Sequence, residues 1–361
     1  MAKIDQYLKF MVKAGASDFH LSSGCLPIFR IDGDMRPVSG DNTKPLVAGQ
    51  VQTLLEEIIP ERNHHEFSEK RDTDFAYSID GLGRFRVNFF RDLNGIAAVF
   101  RYIPQDILTL EELNMPPVLN SFCSLNKGLV LITGPTGSGK STTLAAMVDH
   151  VNNTRRDHII TIEDPVEFVH RNKKCLINQR EVSTHTDSFQ NALRAALRED
   201  PDIIMIGELR DLETTEIAIE TAETGHLVFG TLHTSTATST VDRIIDQFPA
   251  ERQAQIRTML ASSLKGVVCQ NLLKRKEKGR VAAMEIMVVN VAIANNIREG
   301  KTHQIPSAIQ TGGRLGMQLL NKHLIELVRQ EIVEPTEAYL NAVDKDDMAA
   351  KIRAAGFKIE I

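Results

Sequence analysis

A glycine-rich segment at residues 134–141 has the residue types and spacing of a phosphate-binding loop. It reads GPTGSGKS and fits the pattern G-x-x-x-x-G-K-[ST] at every fixed position. Its glycines allow a tight turn in which several backbone N–H groups point at phosphate oxygens. Lys140 would reach the β- and γ-phosphates, and the Ser141 hydroxyl would hold Mg²⁺. The residues predicted to bind the nucleotide are Gly134, Pro135, Thr136, Gly137, Ser138, Gly139, Lys140, Ser141 and Thr142.

Two apolar segments farther along the chain end in carboxylates. Residues 203–207 lead into Glu208, and residues 159–162 lead into Glu163 and Asp164. An acid at the carboxyl end of a strand in such a domain lies beside the bound nucleotide. One acid can help hold Mg²⁺ through water, and the other can orient or deprotonate the attacking water. The sequence does not decide which acid has which role, and an acid in this place can also simply cap the next helix.

Histidines and arginines supply further candidates for the γ-phosphate. His226 and His233 flank the apolar segment LVFGTL and could either report the γ-phosphate or serve as hydrogen-bonded structural residues. Phosphoryl transfer often uses positive charge beyond the loop lysine. Arg84 and Arg86 share one face of a predicted strand, and Arg101 follows on the next, so this row could act on a neighbouring subunit or simply be a solvated strand face. Further candidates are Arg194, Arg198 and Arg210.

The elements that must position these residues alternate between buried strands and helices. The predicted strands are 129–133, 159–163, 203–207 and 227–231, and the predicted helices between them are 142–151, 189–199 and 212–223. This order is typical of a mostly parallel sheet with helices on both faces. The fold class predicted for this part of the chain is therefore α/β, with the loop between the first strand and the first helix.

The pattern divides the chain into two parts. Residues 1–104 begin with a helix at 3–14 and continue into alternating strands, which indicates a small α+β domain. Residues 105–117 are predicted to be a linker, and residues 118–361 a second domain. From about residue 250 the second domain is predicted to be largely helical, with a long helix at 251–273 and one strand at 281–289.

Composition excludes several classes of protein. The formal net charge is −5, Trp is absent and aromatic residues make up 5%, which argues against a nucleic-acid partner. No apolar run approaches the roughly 20 residues of a membrane-spanning helix, and the N-terminus lacks the apolar core of a signal peptide. The four cysteines are scattered and are predicted to be ordinary buried thiols in a reducing compartment. The sequence therefore indicates a cytoplasmic protein.

Four segments together resemble one family. Residues 134–142, 160–168, 203–211 and 222–234 are similar to the Walker A, Asp box, Walker B and His box of the type II/IV secretion ATPases. Within that superfamily they resemble the PilT-type motors that retract type IV pili. Residue by residue, Glu163 matches the catalytic glutamate of the Asp box, and Glu208 matches the Walker B acid that holds Mg²⁺ directly or through water. His226 and His233 match the His-box histidines, and Arg84, Arg86 and Arg101 fall where the family places interface arginines.

The resemblance implies an architecture and partners as well as a reaction. It implies a PAS-like N-terminal domain, a RecA-like ATPase core and a homo-hexameric ring that binds ATP and Mg²⁺. The ring would lie at the cytoplasmic face of the inner membrane against a PilC-like platform protein.

Two features favour retraction over extension or secretion. Extension and secretion motors usually have a longer N-terminal region and often a tetracysteine metal site, and both are missing here. One feature departs from the retraction pattern, since Ala294 stands where these motors usually carry arginine. The alternatives left open are an accessory motor of the PilU type, a pilus-extension or type II secretion ATPase, a RecA-like nucleic-acid translocase, and a regulatory module that binds nucleotide without turnover.

Overall fold

The computed structural model describes residues 2–31, 33–38, 44–103 and 106–359. The chain divides into two compact units, Met1–Asp106 and Ile107–Ile361. Each has a sheet and a hydrophobic core of its own.

Within its described residues, the first unit is a six-stranded antiparallel sheet with three helices. Its helices are α1 (Ile4–Lys13), α2 (Ala48–Glu56) and α3 (Glu61–Lys70). Its strands, in the sheet order β3-β2-β1-β6-β5-β4, are β1 (Asp18–Ser22), β2 (Ile28–Ile31), β3 (Asp34–Pro37), β4 (Asp72–Ile79), β5 (Gly83–Asp92) and β6 (Gly95–Ile103). Alternate residues of β5 from Gly83 to Phe89 are buried, so its other face carries Arg84 and Arg86 as the sequence predicts.

The second unit is built on a seven-stranded sheet. In sheet order its strands are β13 (Arg280–Val288), β12 (Leu264–Lys274), β7 (Gly128–Thr133), β11 (Leu227–Leu232), β10 (Ile203–Ile206), β8 (His158–Glu163) and β9 (Leu176–Glu181). From β12 to β9 all neighbours are parallel, whereas β13 runs antiparallel to β12. Strands β7, β10 and β11 are buried along their whole length, as apolar strands between two helical layers must be.

Helices cover this sheet and continue to the C-terminus. They are α4 (Val118–Cys123), α5 (Lys140–Thr154), α6 (Phe189–Ala196), α7 (Leu212–Thr224), α8 (Ala237–Asp246), α9 (Ala250–Ser263), α10 (Val291–Arg298), α11 (Ile305–Thr311), α12 (Leu320–Arg329), α13 (Pro335–Leu340) and α14 (Lys345–Ala354). Two separate apolar clusters pack around the sheet. A third, centred on Leu324 and Val328 of α12, joins the C-terminal helices to β12 and β13. The four predicted strands and three predicted helices of the α/β pattern are all present.

The predicted helix at 251–273 is wrong in its second half. Helix α9 ends at Ser263, and Leu264 begins β12, which pairs with both β7 and β13. Gly266 lies where a Cβ would come within 2.3 Å of the Phe122 ring, so the strand passes closely over α4. The region after residue 250 therefore contains two core strands between α9 and the later helices.

The predicted linker is also largely part of the second unit. Residues 104 and 105 lie outside the described residues, and from Ile107 the chain is counted with the second unit. Leu110 is 2% exposed in the apolar cluster that contains Leu119 and Phe122. The prolines that suggested a linker thus flank a packed segment.

The prediction of buried thiols holds for three of the four cysteines. Cys123, Cys175 and Cys269 are buried, and burial raises the pKa of Cys123 and of Cys269 to about 12. Cys25 is exposed, contrary to the prediction. In the part of the chain that the structure describes, no helix combines the length and the apolar character needed to cross a membrane.

Candidate functional site

The glycine-rich loop joins the end of β7 to the start of α5. Gly134, Gly137 and Gly139 have φ angles of 140°, 80° and 88°, which side chains rarely tolerate, so the sequence pattern follows from the backbone path. Gly139 immediately precedes α5, whose first turn holds Lys140 and Ser141. Unpaired N–H groups and the helix dipole at such a terminus attract anions. The loop therefore has the backbone geometry of a phosphate site.

Lys140 stays against this loop. Its Nζ donates to the carbonyl oxygens of Gly134, at 2.8 Å, and of Pro135, at 3.0 Å. Burial lowers the pKa of Lys140, and the negative charges of Glu208 and Glu167 oppose that shift. The ammonium group is thus near two acids of the site and within reach of whatever binds the loop.

Glu208 lies two residues past the end of β10, and both its oxygens have cationic or imidazole neighbours. Oε1 is 2.8 Å from His233 Nε2, and Oε2 is 2.7 Å from Arg210 Nε. The structure thus brings together the predicted Walker B acid, one predicted histidine and one of the candidate arginines.

Glu163 ends β8, the strand beside β10, and is almost completely buried. Its Oε1 accepts hydrogen bonds from Thr161 Oγ1 at 2.7 Å and from Gln179 Nε2 at 3.2 Å, and its Oε2 accepts one from the Glu167 N–H at 3.4 Å. Burial raises the pKa of Glu163 to about 7, against the opposing effect of those hydrogen bonds. A carboxylate that titrates near neutrality suits a general base. The Gly207 N–H donates to the Ile162 carbonyl at 2.8 Å, so the strand ends that carry Glu163 and Glu208 are adjacent.

The structure does not bring His226 to this site. Parallel pairing sets Leu227 opposite Gly128 and Leu232 opposite Thr133, so His226 precedes the amino end of β11 while the loop follows the carboxyl end of β7. Six residues of strand separate the two positions by on the order of 15–20 Å. His226 Nδ1 lies 3.2 Å from the Thr221 carbonyl oxygen at the end of α7. Its assignment to the γ-phosphate site is therefore wrong within one subunit, and the structural alternative holds.

The three predicted interface arginines lie on one face of the first unit's sheet. Arg86 is opposite Arg101 in the register of β5 and β6, and Arg101 is opposite Asp18 in β1. Arg101 Nε donates to Asp18 Oδ1 at 2.8 Å, and Arg86 Nε lies 3.7 Å from Asp74 Oδ1. Arg84 lies two residues before Arg86 on β5 and is half-buried. The row predicted from the sequence exists, and carboxylates hold two of its members in place.

Sequence reasoning missed the amides that surround the site. Gln179 lies on β9, which the sequence analysis did not predict, and it also contacts the Phe168 carbonyl and the His170 N–H. Gln270 lies on β12, which the sequence analysis assigned to a helix, and it contacts Ser138 and Thr143. Both come near the loop and the acids only through sheet pairing, so no local motif marks them.

Comparisons with known proteins show the family of this chain. Residues 1–351 match the model of a family described as type II/IV secretion system protein. The chain belongs to this type II/IV secretion protein family. It is 54% identical over 335 residues to the type IV pilus retraction ATPase PilT of Pseudomonas aeruginosa. The aligned residues make up 93% of this chain and 96% of that protein.

Two further members of the family are informative. The type IV pilus ATPase PilU of Pseudomonas aeruginosa is 37% identical over 352 residues, 97% of this chain and 91% of that protein. The solved structure of the pilus retraction motor PilT with bound ADP matches with a TM-score of 0.90 and 43% identity, over 96% of this chain and 99% of that one. The mixed α/β fold with two sheets is thus that of a PilT-type ATPase of this family.

Proposed function

We propose that this chain is the subunit of a homo-hexameric motor that hydrolyses Mg²⁺-ATP to retract type IV pili, which drives twitching motility. The observation that carries the proposal is a phosphate-binding loop beside two strand-end acids, one of them buried, in a chain 54% identical to a retraction ATPase. Identity to the PilU relative is lower, at 37%, which favours a retraction motor over an accessory one.

The residues divide the work of hydrolysis by their surroundings. The loop N–H groups and Lys140 would bind the β- and γ-phosphates. Ser141 and Glu208 would hold Mg²⁺, which would neutralise phosphate charge. Glu163 would accept the proton of the attacking water, because its pKa near 7 leaves it half ionised at neutral pH. His233, bound to Glu208, would orient that carboxylate.

The remaining roles concern assembly. The first unit is proposed to be a PAS-like domain and the second a RecA-like core, arranged in a ring in which Arg84, Arg86 and Arg101 face the nucleotide of the neighbouring subunit. Their row on one sheet face supports this arrangement. The ring is proposed to act at the cytoplasmic face of the inner membrane, on a platform protein of the PilC type.

The catalytic part of the proposal is tested with purified full-length protein. Lys140→Ala and Glu163→Gln should each lower ATP hydrolysis by about two orders of magnitude or more. Glu199→Gln is the matched control, because Glu199 pairs with Arg180 on the surface. Near-wild-type rates in Lys140→Ala and Glu163→Gln would refute the assignment.

The arginines are tested by mixing two inactive variants. Arg101→Ala subunits keep an intact loop, and Lys140→Ala subunits keep intact arginines. If Arg101 acts across the interface, mixed rings should recover part of the hydrolysis that each variant lacks alone. Activity of Arg101→Ala alone at the wild-type level would exclude this role, and no recovery on mixing would place the arginine in its own subunit's site.

An accessory role of the PilU type is the second candidate, and Ala294 is the observation that favours it. Ala294 lies half-buried on α10 against the apolar cluster that contains Ile293 and Ile297. In a strain without its own retraction motor, a PilT-type chain should restore twitching by itself. An accessory chain should restore it only together with a second motor.

A further inference from the structure

Gln270 of β12 contacts the nucleotide-binding loop at Ser138, which lies 132 positions earlier in the chain. It follows Cys269, which pairs with Thr133 at the end of β7, so it lies beside the start of the loop. Its side chain is 2% exposed. Nε2 donates to the Ser138 carbonyl at 2.7 Å, and Oε1 accepts from the Thr143 hydroxyl at 2.8 Å. One amide therefore joins the loop to the first turn of α5.

The backbone of the loop lies so close to Gln270 that an added Cβ would contact this residue at two positions. A Cβ on Gly134 would lie 2.2 Å from the Gln270 carbonyl oxygen, and a Cβ on Gly139 would lie 2.8 Å from Gln270 Nε2. Contacts below 3.0 Å require movement of one partner. The glycines thus permit the close approach of β12 as well as the positive φ angles of the loop.

The hydrogen bond to Ser138 fixes the orientation of one peptide group. In a planar trans peptide the carbonyl and the following N–H point in opposite directions. Because Gln270 holds the Ser138 carbonyl towards β12, the Gly139 N–H must point away from β12. The bond to Thr143 holds the first turn of α5 in the same frame, and that turn carries Lys140 and Ser141.

We propose that Gln270 is a positioning residue for nucleotide binding. It sets the Ser138–Gly139 peptide so that the Gly139 N–H is available to a nucleotide phosphate, and it aligns the start of α5 with the loop. A buried amide that only satisfied buried polar groups would support folding without affecting nucleotide affinity. The proposal depends on nucleotide binding by the loop and not on the pilus machine.

The test uses two substitutions of Gln270. Their effects are compared with the effect of a substitution at another buried amide. Gln270→Met keeps the length of the side chain and removes both hydrogen bonds. Gln270→Glu keeps an acceptor for Thr143 and sets a carboxylate oxygen against the Ser138 carbonyl. The control is Asn152→Leu, since Asn152 is fully buried near the other end of α5, where it bonds the Arg171 carbonyl and the Lys173 N–H.

Binding of a fluorescent ADP analogue, the KM and kcat for ATP, and the apparent melting temperature are measured on the full chain. Gln270→Met should raise the Kd and the KM by about tenfold, because the loop and the first turn of α5 lose both hydrogen bonds that hold them in the binding geometry. Gln270→Glu should raise them further. Asn152→Leu should lower the melting temperature and leave the Kd unchanged.

The proposal is overturned if Gln270→Met lowers the melting temperature but binds the ADP analogue as tightly as the wild type. Should Gln270→Met fail to fold, Thr143→Val removes one of the two hydrogen bonds and leaves the other. It should weaken binding several-fold, and unchanged binding by a folded Thr143→Val protein would equally overturn the proposal.

Discussion

The hydroxyl of Thr161 should set the pH at which this ATPase becomes active. Thr161 and Glu163 lie two residues apart on β8 and therefore share a face of the sheet. Thr161 is fully buried, and its hydroxyl donates to Glu163 Oε1 at 2.7 Å. This bond favours the ionised carboxylate and opposes the burial that raises the pKa of Glu163 to about 7. Thr161→Val keeps the shape of the side chain and removes the bond.

The size of the effect follows from the strength of such a bond. A hydrogen bond to a charged group contributes about 1.5 kcal/mol or slightly more, and about 1.4 kcal/mol corresponds to one pKa unit. Thr161→Val should therefore move the pKa of Glu163 from about 7 to about 8. A general base acts when ionised, so raising its pKa moves the acid side of the profile to higher pH. At pH 7 the ionised fraction falls from about one half to about one tenth, a loss of about fivefold.

The assay is kcat/KM for ATP as a function of pH, which reports groups of the free enzyme. Thr221→Val is the control, because the buried Thr221 hydroxyl donates to the Ile217 carbonyl within α7, outside the site. The control should keep the acid side where it is in the wild type. If Thr161→Val lowers the rate equally at every pH, Glu163 is not the base whose ionisation limits the reaction.

Three further outcomes are expected from the same structure. The folded chain holds the Glu163 proton more tightly than the unfolded chain does, so the free energy of unfolding should fall by about 3 kcal/mol between pH 4.5 and 7. Glu163→Gln removes the buried charge, so it should raise the apparent melting temperature at pH 8 but not at pH 4.5. His233→Gln should lower kcat by about tenfold or more through loss of its bond to a site carboxylate, whereas His226→Gln should leave kcat close to that of the wild type. Gly134→Ala should abolish binding of the ADP analogue, because a backbone oxygen of β12 lies 2.2 Å from the added Cβ, and Gly137→Ala, which meets nothing within 4 Å, should weaken it less.

The sequence predicted the parts of the fold that carry their own pattern. Strands β7, β10 and β11 are short, mostly apolar and buried throughout, so composition alone marks them. β12 was mistaken for a helix because LKGVVCQNLLK directly continues α9 without a turn signal. β9 lies at the edge of the sheet and mixes polar and apolar residues, so its sequence shows no clear hydrophobic periodicity and the strand was not predicted.

The candidate site divides in the same way. The loop and the two acids belong to local motifs, and the structure brings them to the carboxyl ends of parallel strands of one sheet. His226 was misplaced because His226 and His233 flank one strand and therefore lie at its opposite ends. Gln179 and Gln270 were missed because their contacts depend on the pairing of distant strands. Local sequence motifs therefore identify the phosphate-binding loop and the acids, whereas the residues that pack around them are identified only from the structure.

The most direct test of the central claim is a count of surface pili together with twitching, in cells whose own retraction motor has been deleted. Expression of this chain should remove the excess pili and restore twitching, and Glu163→Gln should do neither although it still assembles. Restoration by Glu163→Gln would contradict the claim that hydrolysis at this site drives retraction. Failure of the wild-type chain to restore twitching, or an increase in pili when it is expressed, would contradict the claim that the chain is a retraction motor.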